Sequence, residues 1–211
     1  MNINKKIIPA IIAKDQRELD EGLIKVKDYV DTVQLDVMDN EFVPNASLFF
    51  DFDVSGIDLS YEAHLMVQEP EEWIKKHGDI VDTILVHYES DYDIYKVIKT
   101  VKQKGKRIGF VINPETPLLE LTDILDDLDQ VLIMTVNPGF YGSPFLSEMT
   151  DKIQLLRSMK PDLDIEVDGG ITELAIQEVN YYGANLFVSG SYILKSENVK
   201  RAILTLKNLI K

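Results

Sequence analysis

Cysteine is absent from all 211 residues. Disulfides, thiolate metal sites and thiol nucleophiles are therefore excluded together. Positive charge is also scarce: 22 Lys and Arg face 36 Asp and Glu, for a formal net charge of −14. Long-range repulsion at that charge argues against nucleic acid or an anionic membrane as partner. A small phosphorylated metabolite remains open, because glycine turns and helix N-termini bind phosphate through local backbone N–H groups. Long apolar runs are missing as well. The stretch Ile7 to Ala13 is too short to cross a bilayer and has no small-residue cleavage site, so a soluble cytoplasmic protein is expected. With no low-complexity segment, linker or sequence repeat, residues 1–211 read as one domain.

What the chain does contain is a regular alternation. Apolar, β-branched runs recur at Ile7 to Ile12, Thr32 to Val37, Tyr61 to Met66, Thr83 to Val86, Arg107 to Ile112, Gln130 to Val136, Asp164 to Val167 and Asn185 to Val188. Most of the gaps carry helical spacing, as in Gln16 to Tyr29 with Leu19, Leu23 and Val26, and in Phe145 to Met159 with Ile153 and Leu156. Strand followed by helix, repeated, predicts parallel βαβ units closing into a compact (β/α)₈ TIM barrel. The segment Asn45 to Tyr61 has little helical periodicity, so the second βα unit is expected to be shortened, its helix short or missing.

Polar residues fall at the strand ends. Asp36, His64, His87, Asn113, Asn137 and Asp168 close successive strands, and in a barrel those ends ring the mouth where active sites are built. Asp and Asn also start turns and cap helices, which is the plainer explanation for any one of them. Gln34 and Asp36 lie two apart on a strand and so share a face, which lets Gln34, Asp36, His64 and Asp168 converge. Two carboxylates, an imidazole and an amide oxygen suit one divalent metal ion; a buried hydrogen-bonded cluster without metal is the alternative. Gly169 and Gly170 follow the seventh strand, Gly190 and Ser191 the eighth, with Asn137 to Ser143 as a third flexible turn. Loops after the last two strands often grip phosphate in this architecture, although glycines there also serve tight turns. Met38, Met66 and Met134 lie near strand ends, either as core filler or as an apolar wall beside a reacting carbon. His77 and the basic run Lys102 to Arg107 read as surface features at helix ends.

These motifs resemble the ribulose-phosphate 3-epimerase family, including the allulose-6-phosphate 3-epimerases, over nearly the whole length. The carriers are Asp36 to Asn45, His64-Leu65-Met66-Val67, His87-Tyr88-Glu89, Asn113 to Pro117, Met134 to Phe140, Val167 to Ile171 and Ser189-Gly190-Ser191. The resemblance implies a homo-oligomeric isomerase acting on a sugar phosphate. It further implies one divalent ion, of the set Mn²⁺, Mg²⁺, Zn²⁺, Fe²⁺ or Co²⁺, and a proton shuttled at C3 by Asp36 and Asp168. Mapped by motif, Asp36, His64 and Asp168 match metal ligands, and Gly142, Ser143, Gly169, Gly170, Gly190 and Ser191 match phosphate contacts. The chain departs from the pattern at Gln34, where the family has its first metal-binding His, and at Ala10, where it has a substrate-contacting Ser. It also departs at Asn40 and Glu41, which replace Gly and His, and at Tyr141 and Ser143 in the glycine turn. Gln34 is expected to weaken metal binding and to shift preference from Zn²⁺ toward Mn²⁺ or Mg²⁺. A chamber altered in this way could also bind a sugar phosphate without turnover.

Overall fold

β-branched residues lose little in extended backbone, and the apolar runs become strands accordingly. In the computed structural model, which describes residues 3–138 and 144–211, these are β1 (Lys6–Ile8), β2 (Ala10–Ile11), β3 (Thr32–Asp39), β4 (Ala46–Ser47) and β5 (Ser60–Met66), then β6 (Thr83–His87), β7 (Arg107–Ile112), β8 (Gln130–Met134), β9 (Asp164–Asp168) and β10 (Leu186–Val188). Pro9 divides the first strand into β1 and β2, since it has no N–H for a ladder. β1 pairs parallel with β10, while β2 pairs parallel with β3. The first strand thus closes the sheet in the order β1-β10-β9-β8-β7-β6-β5-β3-β2, a TIM barrel as expected.

Helices α1 (Gln16–Val26), α2 (Pro70–His77), α3 (Ile94–Gln103), α4 (Thr150–Met159), α5 (Glu173–Tyr182), α6 (Ser191–Leu194) and α7 (Val199–Leu209) alternate with the strands. Helix α1 shows the logic: Asp15 caps it by accepting from the Glu18 amide, and Leu19, Leu23 and Val26 form its buried stripe. Between β3 and β5 the described chain forms no helix, and the two-residue β4 pairs antiparallel with β3 instead. The gap after β7 differs from expectation. It holds two 3₁₀ turns, Leu118–Leu121 and Leu125–Asp127; buried Leu118 and Leu121 in the first, and buried Ile124 just before the second, recur every third residue, the period of a 3₁₀ helix. No described helix is long and apolar enough to cross a membrane.

Among the described residues the buried apolar side chains form four clusters, a large one and three small ones. Outward-facing strand residues such as Val33, Leu35, Val37, Ala63 and Leu65 pack beneath the helices, while Leu85, Val111, Leu132, Met134 and Val136 fill one side of the interior. The interior also holds a polar tier, where Gln130 Nε2 donates to Glu166 beside Glu62, all fully buried. Burial, and then the neighbouring Glu62 charge, push the Glu166 carboxyl well above its usual range. His77 is not the simple surface residue expected, because its ring stacks on Phe52 at 5.5 Å and lies 5.3 Å from Trp73.

Candidate active site

Strand register assembles the site. The parallel β3–β5 ladder sets Asp36 opposite His64 and Met38 opposite Met66, and β8 and β10 both place Asp168 beside their own last residues, Met134 and Val188. Thr135 fixes the turn that follows: its amide and hydroxyl donate to the Asp168 carbonyl at 2.7 and 2.9 Å, and the hydroxyl also reaches the Gly169 carbonyl at 2.6 Å. Asp39 accepts from the amides of Glu41 and Phe42 at 2.8 Å and of Gln68 at 2.6 Å, tying the loops after β3 and β5 together. Asn40 sits at φ 65°, a left-handed conformation that Asn tolerates better than most residues, which explains how it replaces glycine there.

At the centre lie Asp36, His64 and Asp168, each offering one ligand atom, with these atoms all within 4.8 Å of one another. Gln34 lies beneath them, fully buried. Its Nε2 donates to Asp36 Oδ1 and Asp168 Oδ2, both at 2.8 Å, while its Oε1 has no hydrogen-bond partner. His64 Nδ1 is 3.4 Å from the same two carboxylate oxygens. Burial opposes charge on His64, but the two carboxylates outweigh it and hold the imidazole up to about 9. The 3.3 Å contact between Gln34 Nε2 and His64 Nδ1 then joins two donors, both facing carboxylates, rather than a donor and an acceptor. Burial, reinforced by the Asp168 charge, raises the Asp36 carboxyl above its usual range despite the His64 and Gln34 hydrogen bonds.

The residues present fit a divalent ion. Asp36, Asp168 and His64 supply two oxygens and one nitrogen, and the orphaned Gln34 Oε1 is a buried oxygen that one turn of the amide would exchange with Nε2. Behind His64 stands His87, at 2.9 Å between their Nε2 atoms, with Glu89 Oε2 3.2 Å from His87 Nδ1. Burial drives His87 down to about 4, leaving it neutral. Burial alone would raise Glu89, but hydrogen bonds from His87, Thr116 and the Asn113 amide together hold it below the usual range.

A cavity of about 360 Å³ opens above the cluster. Ala10, Met38, Met66 and Met134 line one part of it, and Gly169, Gly170, Gly190 and Ser191 another, with Ile171, Phe145 and Tyr192 completing the rim. Ser189 Oγ donates to the Ile171 carbonyl at 2.9 Å, joining the two glycine loops. Gly142 and Ser143 lie outside the described residues. The strand-end ring is less complete than the sequence suggested. Asn137 lies beyond the end of β8 and is solvent-exposed, and the Asn113 backbone serves Glu89 and Lys152 instead of the cavity. His87 entered the sequence reading only as one of the strand-end residues, and Glu89, which stands two residues on in the turn after β6, received no role there.

Gly169 cannot be anything larger. It adopts φ +117°, and an added Cβ would come within 2.3 Å of Val136 Cγ2. Gly169→Ala is expected to destabilise the protein by about 3 kcal/mol or more, through backbone strain and overpacking combined. Thermal denaturation of the two proteins checks this, and an unchanged midpoint would contradict it.

The sequence profile of the Ribulose-phosphate 3 epimerase family matches residues 6–194. The chain is 36% identical over 208 residues to "Ribulose-phosphate 3-epimerase" of Bacillus subtilis, covering 94% of this chain and 96% of that protein. It is 34% identical to the Aquifex aeolicus protein of the same name, covering 98% and 97%. Among solved structures, 3-hexulose-6-phosphate synthase from Salmonella typhimurium superposes with a TM-score of 0.69 at 14% identity, over 97% of this chain and 98% of that one. KGPDC from Streptococcus mutans does so at 0.70 and 12%, over 98% and 97%. These two likenesses are of fold. With Asp36, His64 and Asp168 gathered in one chamber and the match running through nearly all the barrel, the chain belongs to the ribulose-phosphate 3-epimerase family of carbohydrate isomerases.

Proposed function

We propose that this protein is a 3-epimerase of a phosphorylated ketose, either ribulose 5-phosphate or a related sugar phosphate such as allulose 6-phosphate. The observation that carries this reading is the pair Asp36 and Asp168, brought from opposite parts of the barrel to one shared hydrogen-bond donor at 2.8 Å each. A carbon beside a ketone has an acidic proton, and inversion there requires a base on one face and an acid on the other. Asp36 has its carboxyl raised by burial, which moves it toward the neutral range where proton transfer is efficient. Asp168 serves the other face, held in place by the Thr135 bonds to its backbone.

Asp36, His64, Asp168 and the oxygen of Gln34 would hold a divalent ion, which supplies Lewis-acid stabilisation of the negative charge developing on substrate oxygens. Ala10 and the three methionines form an apolar wall that keeps water from the reacting carbon. No lysine or arginine is among the described residues lining the cavity, so phosphate is gripped by neutral groups: the backbone amides of Gly169, Gly170 and Gly190 and the hydroxyl of Ser191. Gly142 and Ser143 join this grip by motif. In this reading the protein acts on a small molecule, as a homo-oligomer.

A second reading, binding without turnover, draws on the Gln34 amide nitrogen already bonded to both carboxylates. Proton exchange at C3 in heavy water, followed by NMR with ribulose 5-phosphate and allulose 6-phosphate, separates the two. Exchange is expected with one of the sugars in the presence of Mn²⁺ and its loss on chelation. Absence of exchange with both sugars under Mn²⁺, Zn²⁺ or chelator alike would favour the binder.

A further inference from the structure

His64 touches the carboxylate cluster with one nitrogen and His87 with the other. The two imidazoles are fully buried, their ring centroids 5.0 Å apart and inclined by 22°, and their Nε2 atoms 2.9 Å from each other. Such a contact holds a single proton, and which ring carries it decides the chemistry of His64. Glu89 settles the question. Its Oε1 accepts from the Asn113 amide at 2.9 Å and from the Thr116 hydroxyl, which leaves Oε2 as an acceptor 3.2 Å from His87 Nδ1. A carboxylate has no proton to give, so His87 Nδ1 carries the hydrogen and its Nε2 is a lone pair. The shared proton therefore belongs to His64 Nε2.

We infer that His87 and Glu89 are positioning residues that fix His64 with its proton on Nε2, so that Nδ1 is the nitrogen presented to Asp36, Asp168 and Gln34. The surroundings hold the relay still. Phe42 packs on the His87 ring at 4.7 Å, and Lys152 Nζ donates to the carbonyls of Asn113, Pro114 and Thr116 at 3.2, 2.6 and 2.6 Å, pinning the loop that anchors Glu89. The inference rests on the proposed role of His64 but concerns the location of a proton, which can be read without substrate.

Only three histidines occur in the chain, so their ring nitrogens are separable by ¹⁵N NMR of the full-length protein. The expected result is a scalar coupling across the His64–His87 hydrogen bond with the proton bonded to the His64 nitrogen. Glu89→Gln supplies the decisive variant. The Asn113 amide still requires an oxygen, so the new amide turns its NH₂ toward His87 Nδ1, driving the His87 proton to Nε2 and reversing the shared bond. The proton is then expected on His87, and Zn²⁺ affinity measured by calorimetry is expected to fall roughly 10- to 100-fold. A shared proton bonded to His87 in the parent protein, or one that stays on His64 in Glu89→Gln, would overturn the inference, as would unchanged Zn²⁺ affinity. Should the variant fail to fold, the parent spectrum alone decides the matter. Failure of turnover with any sugar leaves the proton location unaltered, so the two readings fail separately.

Discussion

Asp36→Asn is expected to slow interconversion of the two epimers by about three orders of magnitude, the scale of a lost general base or acid. The substitution is nearly isosteric, and an Asn oxygen can still accept from Gln34 Nε2, so the strand and the cluster stay in place. What disappears is the ability to take a proton from one face of the sugar. Asp168→Asn is expected to do the same from the other face. Isotope exchange adds a sharper signature: each variant keeps residual C3 exchange with one epimer only, and the two variants retain opposite epimers. NMR of each purified epimer in heavy water measures this directly. If either variant keeps interconversion within tenfold of the parent protein, the two-carboxylate scheme is wrong.

Gln34→His is expected to tighten divalent metal binding by roughly two orders of magnitude and to move preference toward Zn²⁺, because imidazole nitrogen is a stronger and softer ligand than an amide oxygen. The same change removes the neutral Nε2 donor that now sits between Asp36 and Asp168, leaving two close carboxylates that favour a cation more strongly. Proton linkage accompanies the effect. In the parent protein an ion must displace the His64 proton, held up to about 9. Binding therefore releases about one proton, and affinity rises about tenfold per pH unit from neutrality toward pH 9, then levels off. Calorimetry in buffers of different ionisation enthalpy reads both quantities. Affinity that is equal in the two proteins, or that falls as pH rises toward 9, would count against this account.

Much of the fold was legible because β-branched runs and interrupted helical spacing are local signals. Arg107–Ile112 matches its expected strand at both ends, and the missing helix after β3 was foreshadowed by the aperiodic stretch around Phe49 and Phe52. The turns after β7 escaped because Leu118, Leu121, Ile124 and Leu125 satisfy a helical pattern as readily as a 3₁₀ one. At the site, Asp36, His64 and Asp168 could be inferred because each stands at or near a strand end. The amide of Gln34 could not be read in the same way, since which of its two atoms faces the carboxylates depends on partners from β5 and β9. The role of Asp39 was hidden for a similar reason: its partner Gln68 is on another loop.

The ladder that joins β3 to β5 spans a short connection, whereas β10 must travel nearly the whole chain to meet β1, pairing Leu186 with Lys6. Loop-closure entropy grows with that separation, and distant pairings form late in folding. Asp36 and His64 thus share one local ladder, while Asp168 stands on β9, beside the β10 strand that closes the ring against β1. A barrel whose ring is not closed does not bring Asp168 to Gln34, Asp36 and His64. The proposed chelation and proton transfer would consequently require the complete ring, which would make the chemistry itself a readout of finished folding.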